Sequence, residues 1–136
     1  KKKKAFIELG NINAKRDWGY AKEYVEQMWK MLNQKIPRDF VIASGKTYSI
    51  KDFVNEVAKN LKMEVKWKGN GFNEKLYMKN NNKIIIKINK KLFRPSEVNY
   101  VKGNITKAKK YLNWKPKVTF KKLVEIMVKE ELENLK

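Results

Sequence analysis

The stretch that most constrains the fold is Phe40-Val41-Ile42-Ala43, four consecutive apolar residues bounded by Pro37 and Gly45. A run without a polar position has no face to offer water. It therefore predicts a strand covered on both sides, as in a parallel sheet layered with helices. Helical patterns stand on either side of it. From about Ala21 to Gln34, Tyr24, Val25, Met28, Trp29 and Leu32 recur at three- and four-residue spacing, which predicts an amphipathic helix that buries its Met and Trp and breaks before Pro37. Ser49 with Asp52 three residues on is a variant of the capping box, and Ile50, Phe53, Val54, Val57, Ala58 and Leu61 continue from it as a second helical stripe. Strands alternating with helices place the chain in the α/β class.

The remaining segments extend this pattern. Ala5 to Leu9 is a short apolar run ending at the Gly10-Asn11 turn, Glu64-Val65-Lys66-Trp67 alternates as a strand, and Ile84 to Ile88 is β-branched and extended. Lys68 to Asn82, rich in Gly and Asn, predicts a surface loop. Asn104 is placed to cap a short helix carrying Ile105, Ala108, Tyr111 and Leu112. Thr119 is placed to cap a last helix along Phe120, Leu123, Val124, Met127, Val128, Leu132 and Leu135.

Composition narrows the chemistry. The chain has 136 residues, 42% of them hydrophobic, enough for one folded core, and neither cysteine nor histidine. Disulfides, thiolate zinc sites and imidazole general bases are excluded. No apolar run approaches the ~20 residues that span a bilayer, and a cytoplasmic protein is expected. The net charge of +19 suggests nucleic acid, but beyond Lys1 to Lys4 the lysines are scattered along every segment, as on a solvated surface. Specific nucleic-acid binding is not expected, with a nonspecific basic binding domain kept as the alternative from another class.

Catalytic motifs are lacking. There is no Gly-rich strand-to-helix loop for a dinucleotide, no GxxxxGK[ST] run, no nucleophile motif and no metal-ligand cluster. Two arginine-centred clusters remain. Only Arg16, Arg38 and Arg94 among the 33 basic residues are arginines, and a guanidinium donates paired hydrogen bonds to phosphate that a lysine does not. Arg16, followed by Asp17-Trp18-Gly19, is either an anion grip before a helix or a surface pair with Asp17 beside a packed Trp18. Arg94 and Glu97, in Leu92-Phe93-Arg94-Pro95-Ser96-Glu97-Val98, are either a phosphate and sugar-hydroxyl pair or an ion pair bracing a turn.

The strings Leu9-Gly10-Asn11, Ala14-Lys15-Arg16-Asp17-Trp18-Gly19, Phe93-Arg94-Pro95-Ser96-Glu97-Val98, Thr106-Lys107-Ala108-Lys109 and Leu112-Asn113-Trp114-Lys115-Pro116-Lys117 resemble, in order and spacing, the C-terminal part of GDP-mannose 4,6-dehydratases. These are extended short-chain dehydrogenase/reductases, another nucleotide-sugar epimerase or dehydratase of that superfamily is the alternative reading, and the resemblance covers nearly the whole chain. It implies that Arg16 and Arg94 hold the diphosphate of GDP-mannose and that Glu97 accepts hydrogen bonds from the ribose. It implies a lyase reaction in which bound NADP oxidises C4 of mannose, water leaves across C5 and C6, and the hydride returns to C6.

The family's catalytic groups and NADP-binding glycines lie in an N-terminal Rossmann region that this sequence does not contain. The expectation is therefore a C-terminal segment, inactive alone and without catalytic residues of its own, from an enzyme that assembles as a homodimer or homotetramer. Residues 1–45 are expected to supply a helix and strand at the edge of the cofactor sheet, and residues 46–136 a small mixed α/β substrate-binding lobe. One local departure stands beside the motif: members commonly carry Asp-Pro-Arg-Tyr before it, where this chain has Asn89-Lys90-Lys91-Leu92.

Overall fold

The computed structural model describes residues 6–94 and 96–135. Its contacts divide into two compact units that interleave along the chain, Lys1–Ala14 with Ser49–Asn99, and Lys15–Tyr48 with Tyr100–Lys136. Early residues take partners late in the chain: Ile7 aligns with Ile86, and Lys15 bridges Tyr100. The N-terminal strand is found at β1 (Ile7–Leu9), and Ala5 of that expectation lies outside the described residues.

The first unit is a four-stranded sheet in the order β1-β6-β5-β4, made of β1, β4 (Val65–Lys68), β5 (Lys75–Met78) and β6 (Ile84–Ile88). The β1–β6 pairing is parallel and the other two are antiparallel. β5 lies within the stretch expected as loop. Its sequence Lys75-Leu76-Tyr77-Met78 alternates, and Leu76 is buried opposite Trp67 and Ile86. Helix α2 (Ile50–Asn60) opens with the expected capping box: Ser49 Oγ accepts from Asp52 N at 3.0 Å and Asp52 Oδ2 accepts from Ser49 N at 2.8 Å. The helix is tied to the sheet by Trp67 Nε1, which donates to Asn55 Oδ1 at 2.8 Å, and by the pairing of Lys51 with buried Glu74.

The second unit holds β2 (Lys15–Asp17) beside β3 (Thr47–Ser49), with α1 (Ala21–Leu32), α3 (Thr106–Leu112) and α4 (Phe120–Asn134). Its core gathers Ala43, Ile105, Ala108, Leu112 and Trp114, against which Tyr24, Met31, Phe40 and Ile42 pack. Thr119 caps α4 as expected, accepting from Lys122 N. Asn104 serves α3 one residue earlier than a cap, its Oδ1 accepting from Thr106 N at 3.1 Å while Ile105 takes the N-cap position.

Two expectations fail here. Phe40–Ala43 is not a strand. The carbonyl of Ala43 accepts from Trp114 Nε1 at 2.7 Å instead of joining a ladder, and Val41 is 51% exposed, so the run is covered on one side only. The Met and Trp of α1 are not core either. The helix turns Tyr24, Gln27 and Met31 inward, leaving Met28 56% and Trp29 69% exposed together with Val25 and Leu32.

Candidate functional site

Arg16 sits half-buried at the centre of β2, its Nη1 donating to the carbonyl of Lys15 at 2.9 Å. The strand that presents it is held on both edges. β3 lies along one side, and on the other Val101 N donates to the carbonyl of Lys15 at 3.1 Å. The main fixture is Asp17. Its Oδ1 accepts from Ser44 N at 2.7 Å and Ser44 Oγ at 2.6 Å, and its Oδ2 accepts from Gly45 N at 2.9 Å and Gly103 N at 3.2 Å. Asp17 therefore ties the strand to the loops at Ser44–Gly45 and Gly103. Its carboxylate gathers three backbone N–H groups from two loops, a strong acceptor for donors that have no ladder partner. Gly103 is required at this point, since a Cβ there would lie 2.2 Å from Ala43 Cβ.

Trp18 is packing, as the local sequence allowed. Its Nε1 donates to the carbonyl of Tyr48 at 2.9 Å, and its ring meets Phe120 edge-on at 6.1 Å, where Tyr48 also stacks on Phe120 at 3.9 Å. Nearby, burial raises the Tyr24 phenol above its ordinary pKa, reinforced by the negative charges of Asp17 and Glu23.

Arg94 and Glu97 belong to the first unit, on the segment that leaves β6 through a 3-10 turn at Lys90–Leu92. Arg94 is exposed and Glu97 half-buried, and Glu97 N donates to the carbonyl of Arg94 at 3.2 Å, closing the turn. Pro95 lies outside the described residues. Asn89 organises the start of this turn. Its Oδ1 accepts from Lys91 N at 2.9 Å, as an aspartate would, while its Nδ2 donates to Glu8 Oε1 at 3.2 Å. Phe93 meets Phe72 edge-on at 4.8 Å beside the arginine.

The structure thus brings Arg94 and Glu97 onto one braced turn and places Arg16 on a braced strand of the other unit. The residue that local reading missed is Asp17. Its signal was an acidic side chain beside the retained arginine, with Ser44-Gly45 downstream as a turn rich in free N–H groups. Among the described residues no cluster of three or more acidic side chains is placed to hold a metal ion. A dinucleotide needs a glycine-rich turn opening a helix after a parallel strand. Here the helices open at Tyr20, Ser49, Ile105 and Thr119, so the described residues do not fit that cofactor.

Comparison with solved structures defines the class. The fold matches RMD from Pseudomonas aeruginosa complexed with NADPH at a TM-score of 0.72 and 16% identity, over 97% of this chain and 37% of that one. It matches UDP-glucose 4-epimerase from Thermotoga maritima with UDP-glucose at 0.71 and 16% identity, over 96% and 36%. The chain thus shares the fold of about a third of each of these proteins. The family model for GDP-mannose 4,6 dehydratase matches residues 1–127, and the chain belongs to that family. It is 48% identical over 130 residues to the GDP-mannose 4,6 dehydratase of Dictyostelium discoideum and 44% identical over 130 to that of Homo sapiens. It covers 96% of this chain in each case but 36% and 35% of those proteins, so it spans about a third of the length of these curated relatives.

Proposed function

We propose that this chain is the GDP-sugar-binding portion of a GDP-mannose 4,6-dehydratase, a lyase that forms GDP-4-keto-6-deoxymannose. Arg16 and Arg94 hold the diphosphate, and Glu97 accepts from the ribose hydroxyls. The observation that carries this reading is the match to dehydratases at 48% and 44% identity over almost the whole chain, with Arg16 on a strand braced at both edges and Arg94 on a turn closed by its own backbone. A braced backbone limits where each guanidinium can reach, so less freedom is lost when it forms two parallel bonds to a phosphate.

NADP is held by the Rossmann region that such enzymes carry, and this chain contributes no catalytic residue. The exposed apolar face of α1 and the one-sided Phe40–Ala43 segment are the surfaces suited to pack on the edge of that region's sheet, within a cytoplasmic dimer or tetramer. Among the described residues no helix is long and apolar enough to cross a membrane.

The test is calorimetric titration of GDP into the native polypeptide that carries this chain. Arg94→Lys, which keeps the charge and loses the paired geometry, is expected to weaken binding more than about tenfold, the loss of a charge-assisted contact worth about 1.5–3 kcal/mol. Unchanged affinity removes Arg94 from the site.

A further inference from the structure

The sheet of the first unit carries a feature that the dehydratase reading does not use. Cross-strand register sets Lys68 of β4 opposite Lys75 of β5, and Lys75 opposite Lys87 of β6. Three lysines thus line up across three adjacent strands, with Lys66 and Tyr77 one step along on the same face. Trp67, Leu76 and Ile86 point the other way, toward α2, where Leu76 and Ile86 are buried. Lys68 is exposed, and Lys75 and Lys87 are half-buried.

Like charges directly opposite one another destabilise a sheet, and Lys75 meets one on each side. The ion pairs found among the described residues, Lys51–Glu74, Lys122–Glu125 and Lys129–Glu133, lie outside this row. Glu8 of β1 flanks it beyond Lys87, a single acidic group at its end. The row on the opposite face, Trp67, Leu76 and Ile86, fixes this register, because a one-residue slip would turn it to solvent. Glu8 is registered opposite Lys87 alone, so Lys75 keeps a lysine on each side, a local rule broken where a binding role is expected.

Two of the ammonium groups are already positioned. Lys87 Nζ lies 3.9 Å from the centroid of the Phe6 ring, and Lys68 Nζ lies 5.7 Å from that of Tyr77. Strands about 4.8 Å apart make the row about 10 Å wide. We propose that this face binds an oligophosphate anion, with contiguous phosphoryl groups lying across the strands over Lys68, Lys75 and Lys87. Single-stranded nucleic acid fits less well. It needs aromatic faces open for base stacking, and here the rings of Phe6 and Tyr77 are occupied by the chain's own lysines.

The experiment is calorimetric titration of sodium tripolyphosphate into the native polypeptide at low ionic strength, with GDP present at saturation to fill the diphosphate site proposed above. Pyrophosphate, orthophosphate and a thymine-only oligodeoxynucleotide serve as comparison ligands. Tripolyphosphate is expected to bind about tenfold tighter than orthophosphate, because the contacts are charge-assisted and several form at once. Lys75→Gln weakens it about fivefold or more, while Lys121→Gln on α4 leaves it unchanged.

Thermal melts without ligand give a second readout of the opposite sign. Lys75→Gln and Lys75→Glu both raise the Tm by relieving the row, as misfolding would not. Absence of tripolyphosphate binding overturns the proposal. So does binding indifferent to Lys75, a lowered Tm in both variants, or tighter binding of the oligonucleotide. If GDP itself does not bind but tripolyphosphate does, through Lys75, the dehydratase reading fails and this one stands.

Discussion

Replacing Asp17 tests how the strand bearing Arg16 is held. In the folded chain its two carboxylate oxygens accept four hydrogen bonds, two from Ser44 and one each from the backbone of Gly45 and Gly103. Asparagine keeps the shape and one acceptor oxygen, but neither orientation of its amide is satisfactory. With the NH2 at the Oδ2 position it faces two backbone N–H donors. With the NH2 at the Oδ1 position it faces one, while the Ser44 hydroxyl can turn round and accept.

The second orientation is the cheaper, and it leaves one backbone donor without its acceptor, a loss of about 1–3 kcal/mol. Alanine strips all of the bonds. Because the site is only part-buried, water replaces some of them, and the expected loss is about 3–5 kcal/mol, comparable to breaking a buried pair. Ser44→Ala, which removes the hydroxyl's exposed or part-buried bonds to Asp17 and Lys46 but keeps the Ser44 N–H, is expected to lose about 1–2 kcal/mol. The assay is urea denaturation followed by tryptophan fluorescence, since Trp18 adjoins Asp17 in sequence. The reasoning is refuted if Asp17→Asn unfolds at the wild-type midpoint, or if Ser44→Ala is damaged more than Asp17→Ala.

Three further outcomes follow from particular contacts. Ser49→Ala removes the capping box of α2 and is expected to lower stability by about 1 kcal/mol in the same denaturation assay, with Ser49→Asp retaining most of it. Gly103→Ala drives a methyl into Ala43 and is expected to cost about 1–3 kcal/mol by thermal melting. Alkaline titration followed by tyrosinate absorbance separates two of the six tyrosines. Tyr111, whose pKa is lowered by the positive charge of Lys110 and then by Arg38, ionises early, and Tyr111→Phe removes that phase. Tyr24, raised by burial and then by Asp17 and Glu23, ionises late. The folded chain holds the Tyr24 proton more tightly than the unfolded one does. Stability from this group is therefore complete below about pH 10 and lost as pH climbs through the higher folded value, a decline that Tyr24→Phe abolishes.

Where local chemistry decides a structure, the chain could be read directly. Ser49 and Asp52 cap α2 through one another, Thr119 caps α4, and the β-branched run at Ile84–Ile88 is a strand, because each depends on neighbours a few residues away. Phe40–Ala43 and α1 defeated the same reasoning. Periodicity reports which residues are apolar, but not which of them this chain covers, so Met28 and Trp29 looked like core and stand exposed. β5 was hidden because Lys75 and Tyr77 alternate with a single fully buried residue, Leu76, in a stretch whose Gly and Asn content signals a loop. The arginines of the candidate site were legible from their scarcity among lysines. Asp17 was not, since its partners at Ser44, Gly45 and Gly103 lie 27 to 86 residues away.

The placement of the two arginines has a consequence for how the site is dissected. Arg16 is supported by Asp17 and the Tyr100–Val101 segment of one unit, while Arg94 follows a turn organised by Asn89 and Glu8 of the other. The bonds named here for each network lie within its own unit, so their contributions to stability should add, as they do for sites without common partners. Their contributions to the proposed GDP affinity should not, because one diphosphate would bond both guanidiniums and lose its geometry when either strays. A double-mutant cycle of Asp17→Asn with Asn89→Ala separates the cases. Additive unfolding energies with non-additive GDP binding are expected, and additivity in both would mean that the two arginines do not grip the same ligand.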